Sequence, residues 1–224
     1  MAKHNKTCPE DEKLSHNEII GNCIIFHVAG VDTSKSCLEF VIQHLARDKL
    51  CQKKFQDEIL SKLSSSDSSK YGTYAENETL TYFTKECLRI YGPVAAYFPR
   101  IATKDFKVGK YTIFKGTRYI GICSSFHHSD SYFKNSHKFD FDRFKDEKQS
   151  QERQKPGTMI PFGLGKRNCI GKYFGELMIQ IVLVKLLEKF ELENLPNYEV
   201  SAVMGLTYGI DSCYAALKPR QIQK

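Results

Sequence analysis

The segment Pro161-Phe-Gly-Leu-Gly-Lys-Arg-Asn-Cys-Ile-Gly-Lys-Tyr-Phe-Gly175 constrains this chain more than any other. Gly163 and Gly165 precede Cys169 and permit a tight, hairpin-like loop whose backbone comes close to a flat ligand. Arg167, two residues before the cysteine, can reach an anionic group on that ligand. A helical pattern begins directly after Cys169, so free N–H groups and the helix dipole favour a thiolate there over a thiol. Gly171 lets that helix approach closely. These residues suit a thiolate that binds a metal carried in a flat, anionic cofactor. Taken alone, the segment also fits a plainer reading, a buried structural cysteine after a glycine-rich turn.

The chain holds eight cysteines, but their spacing suits neither zinc nor a disulfide framework. There is no C-x-x-C, and reduced thiols are the expectation. Cys23, Cys37 and Cys51 recur on nearly one helix face and read as small buried core residues. The net charge of +7 comes from basic residues interspersed with acidic ones and from no nucleic-acid motif, so a docking patch for an acidic protein is the better use of it. No apolar run reaches the length of a membrane span, and the N-terminal residues lack the apolar core of a signal peptide.

Residues 1–15 are expected to form a flexible polar arm. A long helix is predicted from about Asn17 to Arg47, where Ile20, Ile24, Val28, Val31, Leu38, Val41, Ile42 and Leu45 recur near helical spacing. Asp48 caps a shorter helix with Leu50, Phe55, Ile59 and Leu63 inward. Ser64 to Asn77 reads as a loop, and Asn77 opens a helix that Gly92-Pro93 stops. Phe106–Val108, Tyr111–Ile113 and Arg118–Cys123 read as short antiparallel strands. Residues 129–168 are irregular, a strong helix follows Gly171, and the tail from Phe190 alternates like strands. The expected class is mainly α with small β-sheets (α+β), without an internal repeat.

With these elements placed, Phe162, Gly165, Arg167, Cys169 and Gly171 fill a pattern, F-x-x-G-x-R-x-C-x-G, that resembles the signature of the cytochrome P-450 family. Cysteine ligation in that family pushes electron density towards O–O cleavage. Glu86 and Arg89, one helical turn apart, resemble the family's E-x-x-R pair. Its second arginine is matched by Arg143 in Phe139-Asp-Phe-Asp-Arg-Phe144, although the family usually has proline where Phe141 stands. Ala29-Gly-Val-Asp-Thr-Ser34 resembles the family's oxygen-binding stretch. There the resemblance implies that the glycine makes room for dioxygen and that the acid–alcohol pair Asp32–Thr33 relays protons. Read from the residues alone, a helix kink with Thr33 bonded back to the preceding turn explains the same cluster. Arg100 matches an arginine that reaches a haem propionate, and Val94 to Phe98 would face substrate. Lys115-Gly-Thr117 and His128-Ser-Asp130 match further family landmarks.

The resemblance runs from about residue 18 to the end and covers only about half of a family member's length. It implies residues 16–224 as a partial cytochrome P-450 domain that holds haem b (iron protoporphyrin IX) through Cys169. Arg167 and Arg100 would pair with propionates. The implied reaction inserts one oxygen atom of O2 into an apolar small-molecule substrate. Electrons would come from a separate NADPH-dependent flavoprotein reductase or a ferredoxin, with Lys166, Lys172 and Arg167 as a basic docking face. No nucleic-acid partner is expected, and membrane attachment, at the endoplasmic reticulum, only through an N-terminal anchor absent from these residues. Two other classes stay open: a haem-thiolate isomerase or dehydratase of the same fold, and a non-catalytic fragment that binds no haem. With half of the family fold missing, the long helix is expected to leave part of its apolar face bare.

Overall fold

The computed structural model describes residues 2–64, 71–94, 97–145, 157–196, 201–204 and 207–220. At the N-terminus a short helix, α1 (Ala2–Thr7), and a 3-10 turn at Glu10–Glu12 occupy the stretch expected to be a polar arm. Asn5 accounts for that order. Its side-chain amide donates to the Leu14 carbonyl at 2.6 Å, and its oxygen accepts the Leu14 N–H at 2.9 Å. Such a local polar exchange leaves no trace in apolar periodicity.

The long helix α2 (His16–Arg47) begins at a capping box: the Ser15 hydroxyl accepts the Glu18 N–H, and the Glu18 carboxylate accepts the Ser15 N–H. Asp48 ends it and caps α3 (Lys49–Phe55) by accepting the Cys51 N–H at 2.9 Å. A π-helical turn at Gln56–Leu60 then leads into α4 (Ser61–Ser64). Phe55, Ile59 and Leu63 are buried as expected, whereas Leu50 is 83% exposed. It stands in the first turn of α3, one residue ahead of the buried Cys51, and so points away from the face that Cys51 and Phe55 share. Part of the loop expected from Ser64 to Asn77 is helical, α5 (Tyr71–Ala75); residues 65–70 lie outside the described residues. Asn77 caps α6 (Glu78–Tyr91) by accepting the Leu80 N–H.

Four two-stranded antiparallel sheets follow. β1 (Tyr97–Ile101) pairs with β4 (Arg118–Gly121), and between them β2 (Phe106–Val108) and β3 (Tyr111–Ile113) make a hairpin at Gly109, whose φ is 58°. The expected third strand therefore joins β1 rather than β3 and stops before Cys123, where α7 (Cys123–His127) starts. After an irregular stretch comes α8 (Lys172–Lys189). β5 (Phe190–Asn194) then pairs with β8 (Ala215–Pro219), while β6 (Ala202–Met204) and β7 (Tyr208–Ile210) form a hairpin.

The core gathers the C-terminal half of α2 with α3, α6, α8 and β5, through Val41, Leu45, Phe55, Leu80, Phe83, Leu183, Leu187 and Leu192. Gln52, itself buried, ties helix to sheet. Its amide donates to the carbonyls of Leu45 and Leu192 and its oxygen accepts the Leu192 N–H, so it pairs the β5 backbone where no strand does. In contrast, the N-terminal half of α2 exposes Ile20, Ile24, Ile25, Phe26, Val28 and Val31. The bare apolar face expected there is present. Cys37 and Cys51 are buried, but Cys23 lies on this uncovered half and is exposed, against the expectation that all three are core.

Candidate functional site

Beneath the site lies a buried carboxylate. Glu86 and Arg89, on one face of α6, are both essentially inaccessible, and the Arg89 Nε and Nη2 each donate to one Glu86 oxygen at 2.8 Å. This is a two-pronged, charge-assisted pair. Glu86 Oε1 also accepts from Arg143 Nε at 3.0 Å and from the Asp140 N–H at 2.9 Å. Arg89 Nη1 in turn donates to the carbonyls of His127 (2.5 Å) and Ser136 (2.6 Å), and its guanidinium stands over the Phe133 ring. Arg143 reaches the carbonyls of Lys134, Asn135 and Lys138. One carboxylate and two guanidiniums thus pin three stretches of irregular chain to one helix.

The alternation in Phe139–Phe144 explains why Arg143 arrives there. Phe141 and Phe144 are buried and Phe139 packs inward, with Phe83 against both Phe139 (5.6 Å) and Phe141 (5.1 Å). Asp140 and Asp142 close the turn, the Asp142 N–H donating to Asp140 Oδ1. Phe141, where the family usually has proline, therefore adds core packing and leaves the turn to the aspartates.

Above this base the cysteine loop folds as its glycines require. Gly163 and Gly165 have φ of 84° and 75°, in the left-handed region that disfavours other residues. The Gly163 N–H donates to the Ile160 carbonyl, and the Cys169 N–H donates to the Phe162 carbonyl at 2.8 Å. α8 starts at Lys172, with Gly171 before it, three residues past Cys169 rather than directly after it. A turn at Ile170–Gly171 intervenes, and the first α-helical bond is Gly175 N–H to Gly171 C=O. The Phe162 ring lies against α8 at Gly175, where a Cβ would make ordinary van der Waals contact with it at 3.6 Å.

Cys169, Arg167, Phe162, Arg100 and Thr33 line one cavity of about 360 Å³, walled by Cys37, Leu88, Pro161 and Ile179. Arg100, on β1, also donates to the Pro99 carbonyl. Val94 lines the cavity; Ala95 and the Phe98 side chain lie outside the described residues. Thr33 donates its proton to the Ala29 carbonyl at 2.7 Å, the back-bond that the residues alone suggested, and its oxygen keeps acceptor capacity. Asp32 does not line the cavity. Its Oδ2 accepts from the Thr207 hydroxyl at 2.6 Å, because adjacent helical positions point about 100° apart. Gly30 faces the Phe174 ring of α8, 3.8 Å from where a Cβ would stand.

The donor set can be tested for fit against haem. Among the described residues no cluster of three or more His, Cys, Asp or Glu could hold a metal, so Cys169 offers a single sulfur. A single protein donor suits a metal whose other ligands arrive with its cofactor. Two guanidiniums and an otherwise mostly apolar wall suit a flat macrocycle with two carboxylates. The residues present fit. The cysteines also differ: Cys169 is exposed to the cavity, whereas burial pushes the thiols of Cys37 and Cys51 up to about 12 and raises that of Cys87 well above the usual thiol value.

Sequence reading passed over His127. It is 4% exposed, and its Nε2 accepts the Ile160 N–H at 3.0 Å. Burial, then the neighbouring His128 and Arg89, push its ring down to about 4. Only its place in the adjacent pair His127-His128 could have drawn notice, and that pattern carries no chemistry by itself.

The family model described as Cytochrome P-450 matches residues 1–208. Mouse cytochrome P-450 3A13 is 32% identical over 199 residues, 89% of this chain and 39% of that protein. Human cytochrome P-450 3A7 is 31% identical over 208 residues, 93% and 40%. The crystal structure of the cytochrome P-450DA heme domain superimposes with a TM-score of 0.84 at 26% identity, over 95% of this chain and 47% of that one. The chain therefore spans about two-fifths of the curated relatives it matches.

Two outcomes follow for stability. Glu86→Ala leaves two buried guanidiniums without their carboxylate and is expected to cost about 3–5 kcal/mol in urea unfolding. His127 is neutral in the fold, and its ring is held below the ordinary 6.5. Its contribution is thus complete above that value and is lost as pH falls towards about 4. Between pH 7 and pH 5 it should remove about 2 kcal/mol, and His127→Gln should show a shallower pH slope over that interval.

Proposed function

The chain belongs to the cytochrome P-450 family, and on that premise we propose that it carries the haem-thiolate side of an O2-dependent monooxygenase acting on an apolar substrate. One observation carries the reading: Cys169 shares its cavity with Arg100, Arg167 and Thr33. In this reading Cys169 Sγ would bind the iron of haem b, while Arg100 and Arg167 would pair with its propionates. The bound haem supplies the binding and activation of dioxygen.

Everything else falls to the chain's own residues. Phe162 and Ile179 give the cavity that holds the sulfur part of its apolar wall. The Thr33 oxygen offers an acceptor at the cavity wall, and Asp32, one residue away and already accepting from the Thr207 hydroxyl, passes protons towards it through water. Val94 and Leu88 offer an apolar surface to substrate. Electrons come from a separate NADPH-dependent flavoprotein reductase or ferredoxin docked against Lys166, Lys172 and Arg167, all three of them exposed. Residence at the endoplasmic reticulum belongs to a protein with a membrane anchor; among the described residues no helix is long and apolar enough to cross a membrane.

The bare face of α2 favours a second reading, in which this chain needs its apolar stripe covered before it retains haem. The carbon monoxide difference spectrum of the reduced protein, expressed with haem precursor, decides between the two. A Soret band shifted strongly to the red supports thiolate ligation within this chain, and no band supports the second reading. Cys169→Ala should abolish the red-shifted band, and a band unchanged in that variant would sink the ligand assignment. Thr33→Ala should keep haem but uncouple oxygen consumption from product, typically by about 10²-fold in productive rate; tight coupling would remove Thr33 from proton delivery.

A further inference from the structure

We propose that His127 is a positioning residue for the thiolate loop, its neutral ring taking the Ile160 amide proton and so fixing the strand of backbone from which Cys169 hangs. The proposal rests on the haem-thiolate reading of Cys169 for its functional meaning, and on hydrogen bonds for its geometry. Ile160 precedes Pro161, and a residue before proline is driven to an extended conformation. Its N–H therefore finds no helical partner, and its side chain is buried. A buried amide needs an acceptor, and His127 Nε2 supplies it at 3.0 Å.

From there the connections run in both directions. On one side, the Ile160 carbonyl takes the Gly163 N–H and the Phe162 carbonyl takes the Cys169 N–H. On the other, the His127 carbonyl takes Arg89 Nη1 of the Glu86 cluster. His127 is thus the residue at which the buried charge cluster and the cysteine loop meet.

An imidazole suits this post for a specific reason. To accept at Nε2 it must be neutral, with its proton on Nδ1. Burial together with Arg89 and His128, itself backed by His137, keeps a second proton off. A carboxylate would bring a second negative charge into the neighbourhood of Glu86, and an aliphatic side chain would strand the amide.

The experiment compares His127→Leu with His127→Gln in the 224-residue chain. Glutamine offers an acceptor at a similar reach; leucine offers none. Amide hydrogen exchange at Ile160 and Cys169 is followed by NMR without haem, and the carbon monoxide spectrum is recorded with haem. Leucine should accelerate both amides by about tenfold or more, the fold-change expected for one lost buried hydrogen bond, and should move the Soret band towards its unshifted position. Glutamine should restore both towards the parent. If leucine also loosens the whole chain, glutamine alone decides: parent-like exchange at Ile160 supports the proposal, and exchange as fast as in the leucine variant overturns it. Equal exchange in parent and leucine variant overturns it too. Because exchange is read without haem, it judges His127 even where the parent gives no band, a result that would count against the haem reading alone.

Discussion

The site depends on one carboxylate that has no access to water. Glu86 sits in the centre of α6 and accepts from Arg89, Arg143 and the Asp140 amide. Burying three ionised groups is costly, and their mutual attraction offsets that cost only when every donor is used. Here the remaining guanidinium protons go to the carbonyls of His127, Ser136, Lys134, Asn135 and Lys138. Those carbonyls belong to chain with almost no regular structure of its own. The charge cluster therefore does for residues 127–145 what a sheet ladder does elsewhere: it satisfies their backbone and leaves them one conformation.

The cysteine loop inherits its position from that arrangement. It touches the cluster through His127 and the core through Phe162, and its two left-handed glycines let the backbone turn so that the Cys169 sulfur enters a cavity. Reactivity follows from place. Cys37 lines the same cavity from α2, yet burial pushes its thiol up to about 12, whereas Cys169 is exposed and shares the cavity with Arg100 and Arg167. The two sulfurs share a chemistry and differ in solvation.

α2 has two characters along its length. From Ser34 to Ala46 it is the spine of the core, and β7 and β8 pack on it; from Ile20 to Val31 its apolar side chains meet solvent. The change falls at the Gly30–Thr33 stretch, so the residues proposed for proton delivery lie at the border between covered and uncovered helix.

Much of this was legible in the residues. Periodicity located α2, α6 and α8, because an amphipathic or buried helix repeats its apolar positions whatever surrounds it. The cysteine signature and the positions of Glu86, Arg89 and Arg143 were legible as well, since their spacing is local or matches a family pattern. Other features had no local signal. Asn5 ordering the N-terminal turn, Thr207 holding Asp32, β4 choosing β1 over β3, and His127 accepting from Ile160 all join residues distant in sequence or are decided by which neighbour arrives. Adjacent residues on a helix point about 100° apart, so the sequence pairs Asp32 with Thr33, while only packing sends one to the cavity and the other to a strand turn. By itself the sequence determined the family, the candidate site residues and which stretches are helical. Only the tertiary structure decided which of those groups face one another, because burial and hydrogen-bond partnership are properties of a folded neighbourhood and not of a chain.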